Sequence, residues 1–208
     1  MSVTIARSFV HPTANVERDV RIGEGTSLWE HVHVRHSTSI GRECIVGEKT
    51  YIAYGVRIGD RVKINAFVYI PTGVTVEDGV MISAGTVFTN DRFPRAATPD
   101  LLALRSSDPD DETLETVVRE GATIGAHCTI GCGLEIGRFA MVGMGSVVTH
   151  CVPDFALVIG SPARIAGVVC RCGRPMLRCD EREFSIAGDL ECAACGRRYA
   201  ARGLVREA

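Results

Sequence analysis

"IGRECIVGEKTYIAYGVRIGDRVKIN", residues 40–65, decides the fold. Ile40, Val46, Ile52, Ile58 and Ile64 recur at every sixth position, and two places before each stands Thr38, Cys44, Thr50, Val56 or Val62. A helix needs apolar residues every three to four positions, and a lone strand alternates briefly and stops. Two inward side chains in every six, with a tight corner that favours Gly, describe instead a short strand followed by a turn. The beat spreads outward from this stretch. It begins at Val10, runs through Val16, Ile22, Leu28 and Val34, and continues through Ile70, Val76 and Ile82 to Phe88. It resumes at Val118 and passes Ile124, Ile130, Ile136 and Val142 to Val148. Units of this kind form an all-β parallel β-helix, in which each coil covers the core of the next.

Composition agrees with a globular protein that has ample core material. Of 208 residues, 46% are hydrophobic and 23% charged, with a formal net charge of -2. There is no basic run to hold nucleic acid and no apolar span of membrane length. The expected compartment is the cytoplasm. Nine cysteines suggest secretion at first sight, but five of them fall in residues 170–195 with metal-like spacing.

The motif [LIV]-G-x-x-[STAV]-x, visible at Ile22-Gly23, Ile40-Gly41, Ile58-Gly59 and Ile124-Gly125, resembles that of the hexapeptide acyltransferases. The resemblance covers residues 10 to about 165. It implies a left-handed β-helix with three hexapeptides per triangular coil, a homotrimer, and active sites in the clefts between subunits. Four segments narrow it: "HPTANVERDVRIGEGTSLWEHVHVRHSTSIG" (11–41), "KINAFVYIPTGVTVEDGV" (63–80), "VFTNDRFPRA" (87–96) and "VIGSPAR" (158–164). Together they resemble N-acetyltransferases that act on the 3-amino group of UDP- or dTDP-linked sugars. The expected reaction is therefore acetyl transfer from acetyl-CoA to a nucleotide-linked amino sugar.

Residues 89–117 leave the repeat, and so long an excursion from a solenoid is usually functional or disordered. Its distal part, Ser106 to Thr116, is acidic and reads as a solvated tip. Its proximal part gathers Asn90, Asp91, Arg92 and Arg95 where the wall ends; from the residues alone this is either loop anchoring or a site. The resemblance implies that Asn90 lies beside the sugar amine, and Asp91 and Arg95 are expected near the substrate, Arg95 on the pyrophosphate.

Acyl transfer to an amine needs a neutral nucleophile, a proton acceptor and an oxyanion donor. An amide orients but cannot be a base. His127 stands where many relatives carry Asn; it is either a general base or a corner hydrogen-bonder. The thiolate leaving CoA is the other proton acceptor the resemblance allows. His31, His33 and His36 cluster with Trp29 and Glu30, and alternation turns His33 outward, where these residues either contact the sugar or nucleotide or are ordinary surface polar groups. Asn65 at a corner and Tyr69 on a wall are expected to meet the substrate, with an ordinary polar wall as the alternative for both. The resemblance puts the cofactor's far end on Ser161, Pro162, Ala163 and Arg164, and its pantetheine arm against Gly143 and Gly145.

Residues 168–208 abandon the repeat and form a second unit after a first at 1–167. Cys170-x-Cys172 and Cys192-x-x-Cys195, with positions 173–191 between the pairs, fit a zinc ribbon holding structural Zn2+. The first pair is closer spaced than the usual knuckle, and Cys179 is an additional candidate ligand. Disulfides and free thiols are the alternatives. Cys44 and Cys128 fall at inward positions and read as core filler. Rival readings of the whole chain are O-acetylation of a sugar or a serine-like alcohol, and a non-catalytic scaffold whose ribbon binds a partner.

Overall fold

The computed structural model describes residues 4–5, 8–178 and 188–200. The chain winds as a three-sided column whose faces are parallel sheets, each built from every third strand. The first face runs from Thr4–Ile5 through Arg57–Ile58 to Glu135–Ile136, and the third from Asn15–Val16 through Tyr69–Ile70 to Val147–Val148, with seven strands each. The second face has ten strands, because after Ala156–Gly160 it continues antiparallel through Ala163–Val169 and Pro175–Arg178. Ile40 pairs with Ile58 and Ile58 with Val76, so one coil is three hexapeptides, as expected. No helix among the described residues is long and apolar enough to cross a membrane.

Most strands of the column are a bare pair of residues, because the period gives the rest of each hexapeptide to the corner. The second residue of each such strand is the beat residue and points inward. Leu28, Ile52, Ile64, Ile70, Ile82, Phe88, Ile124, Ile130 and Ile136 are fully buried. Burial of each such side chain contributes about 1.5–3 kcal/mol. The other inward position tolerates hydroxyls because the next coil supplies an acceptor. Thr26 Oγ1 donates to the Gly41 carbonyl at 2.7 Å, Thr38 to Ala53 at 2.8 Å and Thr50 to Asn65 at 3.0 Å. A buried hydroxyl without such a partner would be costly. Cys44 and Cys128 occupy the same position with the same geometry, their thiols 3.1 Å from the Gly59 carbonyl and 3.2 Å from that of Gly143. Burial pushes both thiols above their ordinary pKa, as suits core residues.

The glycines that follow the beat serve a different purpose from the one their spacing suggests. Left-handed backbone falls later in the corner, where His31, Lys49, Phe67 and His127 adopt it as well as Gly25 and Gly85. The post-beat glycines instead make room for the coil below. A Cβ on Gly59 would lie 2.8 Å from the Asp78 amide nitrogen, and one on Gly125 would lie 2.5 Å from that of Met144. Close coil-to-coil approach, not the turn, selects glycine there.

The excursion begins after Phe88 and rejoins the first face at Thr116–Val118, where Val118 pairs with Val76 as though no chain intervened. Its base is sealed by the Leu114 amide donating to the Asn90 carbonyl at 2.9 Å and by an antiparallel bridge between Asp91 and Thr113. Thr116, read from sequence as part of the solvated tip, is fully buried in the wall, and the expected end of the excursion at 117 lies inside a strand. The acidity of its neighbours hides its inward position. The expected unit boundary at 167 likewise falls within the continuous strand Ala163–Val169.

Candidate active site

The three corners of the column differ in what they leave free. Between the first and second faces, charges satisfy one another along the axis. The Arg42 and Asp60 amides donate to Asp60 and Asp78 one coil below, each at 2.8 Å, and Arg138 does so to Asp154 at 2.7 Å. Arg119 bridges Glu77 at 2.8 Å and Glu135 at 2.6 Å, which raises its pKa further and keeps it charged. Ion pairs line this corner, beside an open groove of about 520 Å³ bordered by Arg57, Thr75, Glu77, Asp78 and Glu120.

Between the second and third faces the corner is rich in small residues toward the C-terminal end, with His127 and Met144 among them. Ser83-Ala84-Gly85, Gly125-Ala126-His127 and Gly143-Met144-Gly145 stack there as successive coils. Gly145 has φ of 70° and nothing within 4 Å of where a Cβ would be. His127 is exposed, and its ring has no hydrogen-bond partner among the described residues. Below this corner, the Gly160 amide donates to Ser146 Oγ at 3.1 Å, and Ile159 fills the space over Gly143. That contact brings the turn Ser161–Pro162, flanked by paired Gly160 and Ala163, to the same corner. Arg164 is exposed, with Nη1 on the Ala163 carbonyl at 2.9 Å. So His127, Gly143, Gly145 and Ser161–Arg164 share one lane. Asn65 sits higher on this corner, in an open groove of about 410 Å³ with Trp29, Ile45, Gly47 and Ala84.

The third face carries an aromatic ladder. His33, Tyr51 and Tyr69 stand one above another at the outward position, with ring centroids 5.3 Å apart at each step. Tyr69 is 45% exposed and so keeps a free face; burial beside Tyr51 pushes its phenol pKa up. Glu17 organises the top of the ladder, 2.6 Å from Arg35 Nε and 3.0 Å from His33 Nε2, while Arg35 Nη1 donates to Tyr51 Oη at 3.0 Å. Desolvation opposes the Glu17 charge, but Arg35, the His36 amide and His33 outweigh it and hold the carboxyl at about 2, against an ordinary 4.5. Sequence reading misses Arg35, Tyr51 and Glu17. Written with three hexapeptides to the row, the sequence puts Tyr51 between His33 and Tyr69 in one column, which is the signal that finds it.

The third corner releases the excursion. Asn90 is half-buried there, with Nδ2 donating to the Thr72 carbonyl at 3.3 Å. Asp91 caps its own turn through the Phe93 amide at 2.8 Å, and Arg95 is exposed with Nη1 on the Pro94 carbonyl at 3.1 Å. Asn90 and His127 thus occupy different corners. Phe88 pairs with Ile130, which sets Asn90 level with Cys132 and His127 level with Gly85. The near-extended chain between those levels spans on the order of 15 Å. Within one chain the third face lies between them.

Comparison with known proteins bears on this arrangement. The family described as bacterial transferase hexapeptide (six repeats) matches residues 19–54 and 55–90, and the hexapeptide repeat of succinyl-transferase matches residues 116–150, together more than half of the chain. The dTDP-3-amino-3,6-dideoxy-alpha-D-galactopyranose 3-N-acetyltransferase of Aneurinibacillus thermoaerophilus is 45% identical over 84 residues, 40% of this chain and 40% of that enzyme. Serine acetyltransferase of Escherichia coli (strain K12) is 48% identical over 50 residues, 24% of this chain and 18% of that enzyme. The chain therefore spans two fifths of the first relative and under a fifth of the second. Among solved structures, AntD, an N-acyltransferase from Bacillus cereus in complex with dTDP and 3-hydroxybutyryl-CoA, superposes with a TM-score of 0.52 at 19% identity, covering 82% of this chain and 84% of that one. That likeness is one of fold.

Proposed function

Because the chain belongs to the bacterial hexapeptide-repeat transferases, we propose that it transfers an acetyl group from acetyl-CoA to the 3-amino group of a UDP- or dTDP-linked amino sugar. One observation carries this reading. The lane at the second corner opens beside a single imidazole that is unpartnered among the described residues, where Gly145 has nothing within 4 Å of a Cβ, and it ends at the Ser161–Arg164 turn. A pantetheine arm fits such a lane because glycine lets it approach the backbone closely. Arg164 is the cation available for a cofactor phosphate, and His127 stands where the thioester would come to rest. The similarity to a dTDP-amino-sugar N-acetyltransferase supports the acceptor class.

The chemistry then divides among named groups. Asn90 orients the amine by accepting its hydrogen, and His127 takes the proton as the nitrogen attacks the thioester carbonyl. The bond to sulfur breaks and CoA leaves as thiolate. Tyr69 offers a free ring face to the nucleotide base, with His33 two coils up the same face and Asn65 at the neighbouring corner as further contacts to the substrate. Asp91 and Arg95 border the sugar and pyrophosphate. Since Asn90 and His127 lie at different corners of one chain, a homotrimer is the assembly we favour, with one subunit's corner meeting the next. Exposed Phe9, Trp29, Ile45 and Phe67 supply apolar surface for such contacts. We place the protein in the cytoplasm, a reducing compartment in which a cluster of four thiols persists.

A second reading has its own support. A free imidazole at the lane, together with the short stretch of similarity to serine acetyltransferase, suits O-acetylation of an alcohol, which needs a stronger base. Incubation with acetyl-CoA and a panel of UDP- and dTDP-linked 3-amino sugars, parent hydroxy sugars and serine, with CoA thiol release as readout, separates the two. Release with amino sugars alone supports N-acetylation. Release with alcohols alone replaces it, and silence with every acceptor removes the enzyme reading.

A further inference from the structure

The strand Ala163–Val169 of the second face begins at the Ser161–Pro162 turn and runs straight into Cys170. The tail beyond it brings four thiols together. The sulfurs of Cys170, Cys172, Cys192 and Cys195 all lie within 4.8 Å of one another, with Cys170–Cys195 at 3.5 Å and Cys172–Cys192 at 3.6 Å. A zinc ion about 2.3 Å from each sulfur of a tetrahedron sets the sulfurs about 3.8 Å apart, so these separations fit an ion at their centre. Cys179 lies outside the described residues.

The backbone around the thiols is built for this. The Gly173 amide donates to the Cys170 carbonyl and the Gly196 amide to the Cys192 carbonyl, both at 2.8 Å. Gly173 and Gly196 take φ of 82° and 69°, so each pair sits on a tight knuckle that only glycine makes easily. The Cys172 amide points at Cys170 Sγ at 3.5 Å, and Tyr199 Oη lies 3.1 Å from the same sulfur. Four thiolates on one divalent ion leave a net charge of about -2, and Arg171, Arg174 and Arg197, each within two residues of a ligand, offset it.

The same cluster grips the column. The Arg171 guanidinium lies 4.4 Å over the Phe139 ring, Phe139 stacks on Phe155 at 5.5 Å, and Phe155 meets Tyr199 edge-on at 5.5 Å. Tyr199 Oη also accepts the Arg171 amide at 3.0 Å, and the Val169 amide donates to the Phe155 carbonyl at 2.9 Å. A tail with few buried side chains cannot hold these contacts by its own core. We propose that Cys170, Cys172, Cys192 and Cys195 bind one zinc-class divalent ion and that this ion clasps the terminal hairpin of the second face onto the last coil. Binding replaces the thiol protons, which leave to solvent, and no redox step is involved.

Full-length protein prepared under reducing conditions should carry about one zinc ion per chain, released by a mercurial. Cobalt exchange should give the intense long-wavelength bands of a tetrahedral thiolate site. Cys192→Ser and Cys195→Ser should each lower zinc content and alter those bands, while Cys151→Ser, at an exposed thiol outside the cluster, should do neither. Zinc removal should raise amide exchange over residues 163–178 about tenfold and leave residues 20–88 unchanged. Reduced wild-type protein that takes up neither zinc nor cobalt, or an intact mass short of four hydrogens from paired disulfides, overturns the site. Unchanged exchange over residues 163–178 after zinc loss overturns the clasp.

Discussion

The imidazole of His127 lies over Gly85 one coil above it, so close that a Cβ on residue 85 would meet Nδ1 at 2.6 Å and Cε1 at 2.7 Å. Gly85→Ala must therefore displace the ring. The substitution also places alanine at φ of 72°, at a cost of about 1 kcal/mol. Lys49 and Phe67 hold the same corner position at φ of 57° and 60°, so the coil itself accepts a side chain there. Thermal denaturation should show a loss of a few degrees, and acetyl-transfer kinetics a loss close to that of His127→Ala. A variant with intact turnover would detach His127 from the reaction.

His127→Ala removes the imidazole without touching any hydrogen bond of the described residues. Turnover should fall about 100-fold, the usual scale for a lost general base, with melting temperature unchanged. Unchanged turnover would assign the proton to the departing thiolate.

Asn90→Ala removes the amide from the third corner together with its 3.3 Å bond to the Thr72 carbonyl. That single bond is worth about 1 kcal/mol, too little to unfold the column. Steady-state kinetics should show kcat/KM for the amino sugar reduced at least tenfold with KM for acetyl-CoA preserved, a split that loop anchoring alone would not produce.

Glu17 links stability to acid. Its folded pKa of about 2 lies below the ordinary 4.5, so its stabilising contribution is complete above about 4.5 and is lost as pH falls toward 2. Denaturant titrations between those limits should show the wild type losing stability faster than Glu17→Gln. Parallel curves would mean that Arg35 and His33 contribute nothing through this carboxylate.

Phe88 is the largest fully buried side chain among the described residues and ends the uninterrupted beat immediately before the excursion. Phe88→Ala should cost about 3–5 kcal/mol, read as a shifted denaturation midpoint with unchanged slope.

The architecture is legible because one rule, an inward side chain every sixth residue, is imposed again by every coil. Ile22, Ile64 and Ile136 obey it without knowledge of one another. The site is legible only in part. His127 and Gly145 carry the same outward appearance as any corner residue, and their alignment on one lane depends on the three-hexapeptide coil, which pairs Met81 with Thr123 across the excursion. Tyr51 escapes notice because its partners, His33 and Tyr69, each stand a full coil away. The glycines after the beat mislead for a physical reason: sequence marks where glycine stands, but not whether a dihedral angle or a neighbouring chain demands it.

The seal between Asn90 and Leu114 has a consequence for engineering. Above and below it the coils keep their regular step, with Ile58 on Val76 and Val118 on Ile136, so the detour between Phe88 and Thr116 imposes no twist on the wall. The arm is thus a graft point. A peptide or fluorophore carrier spliced between Ser107 and Asp108 would hang from a fixed base, and reporters placed there would sense neighbours and ligands without disturbing the scaffold that presents them.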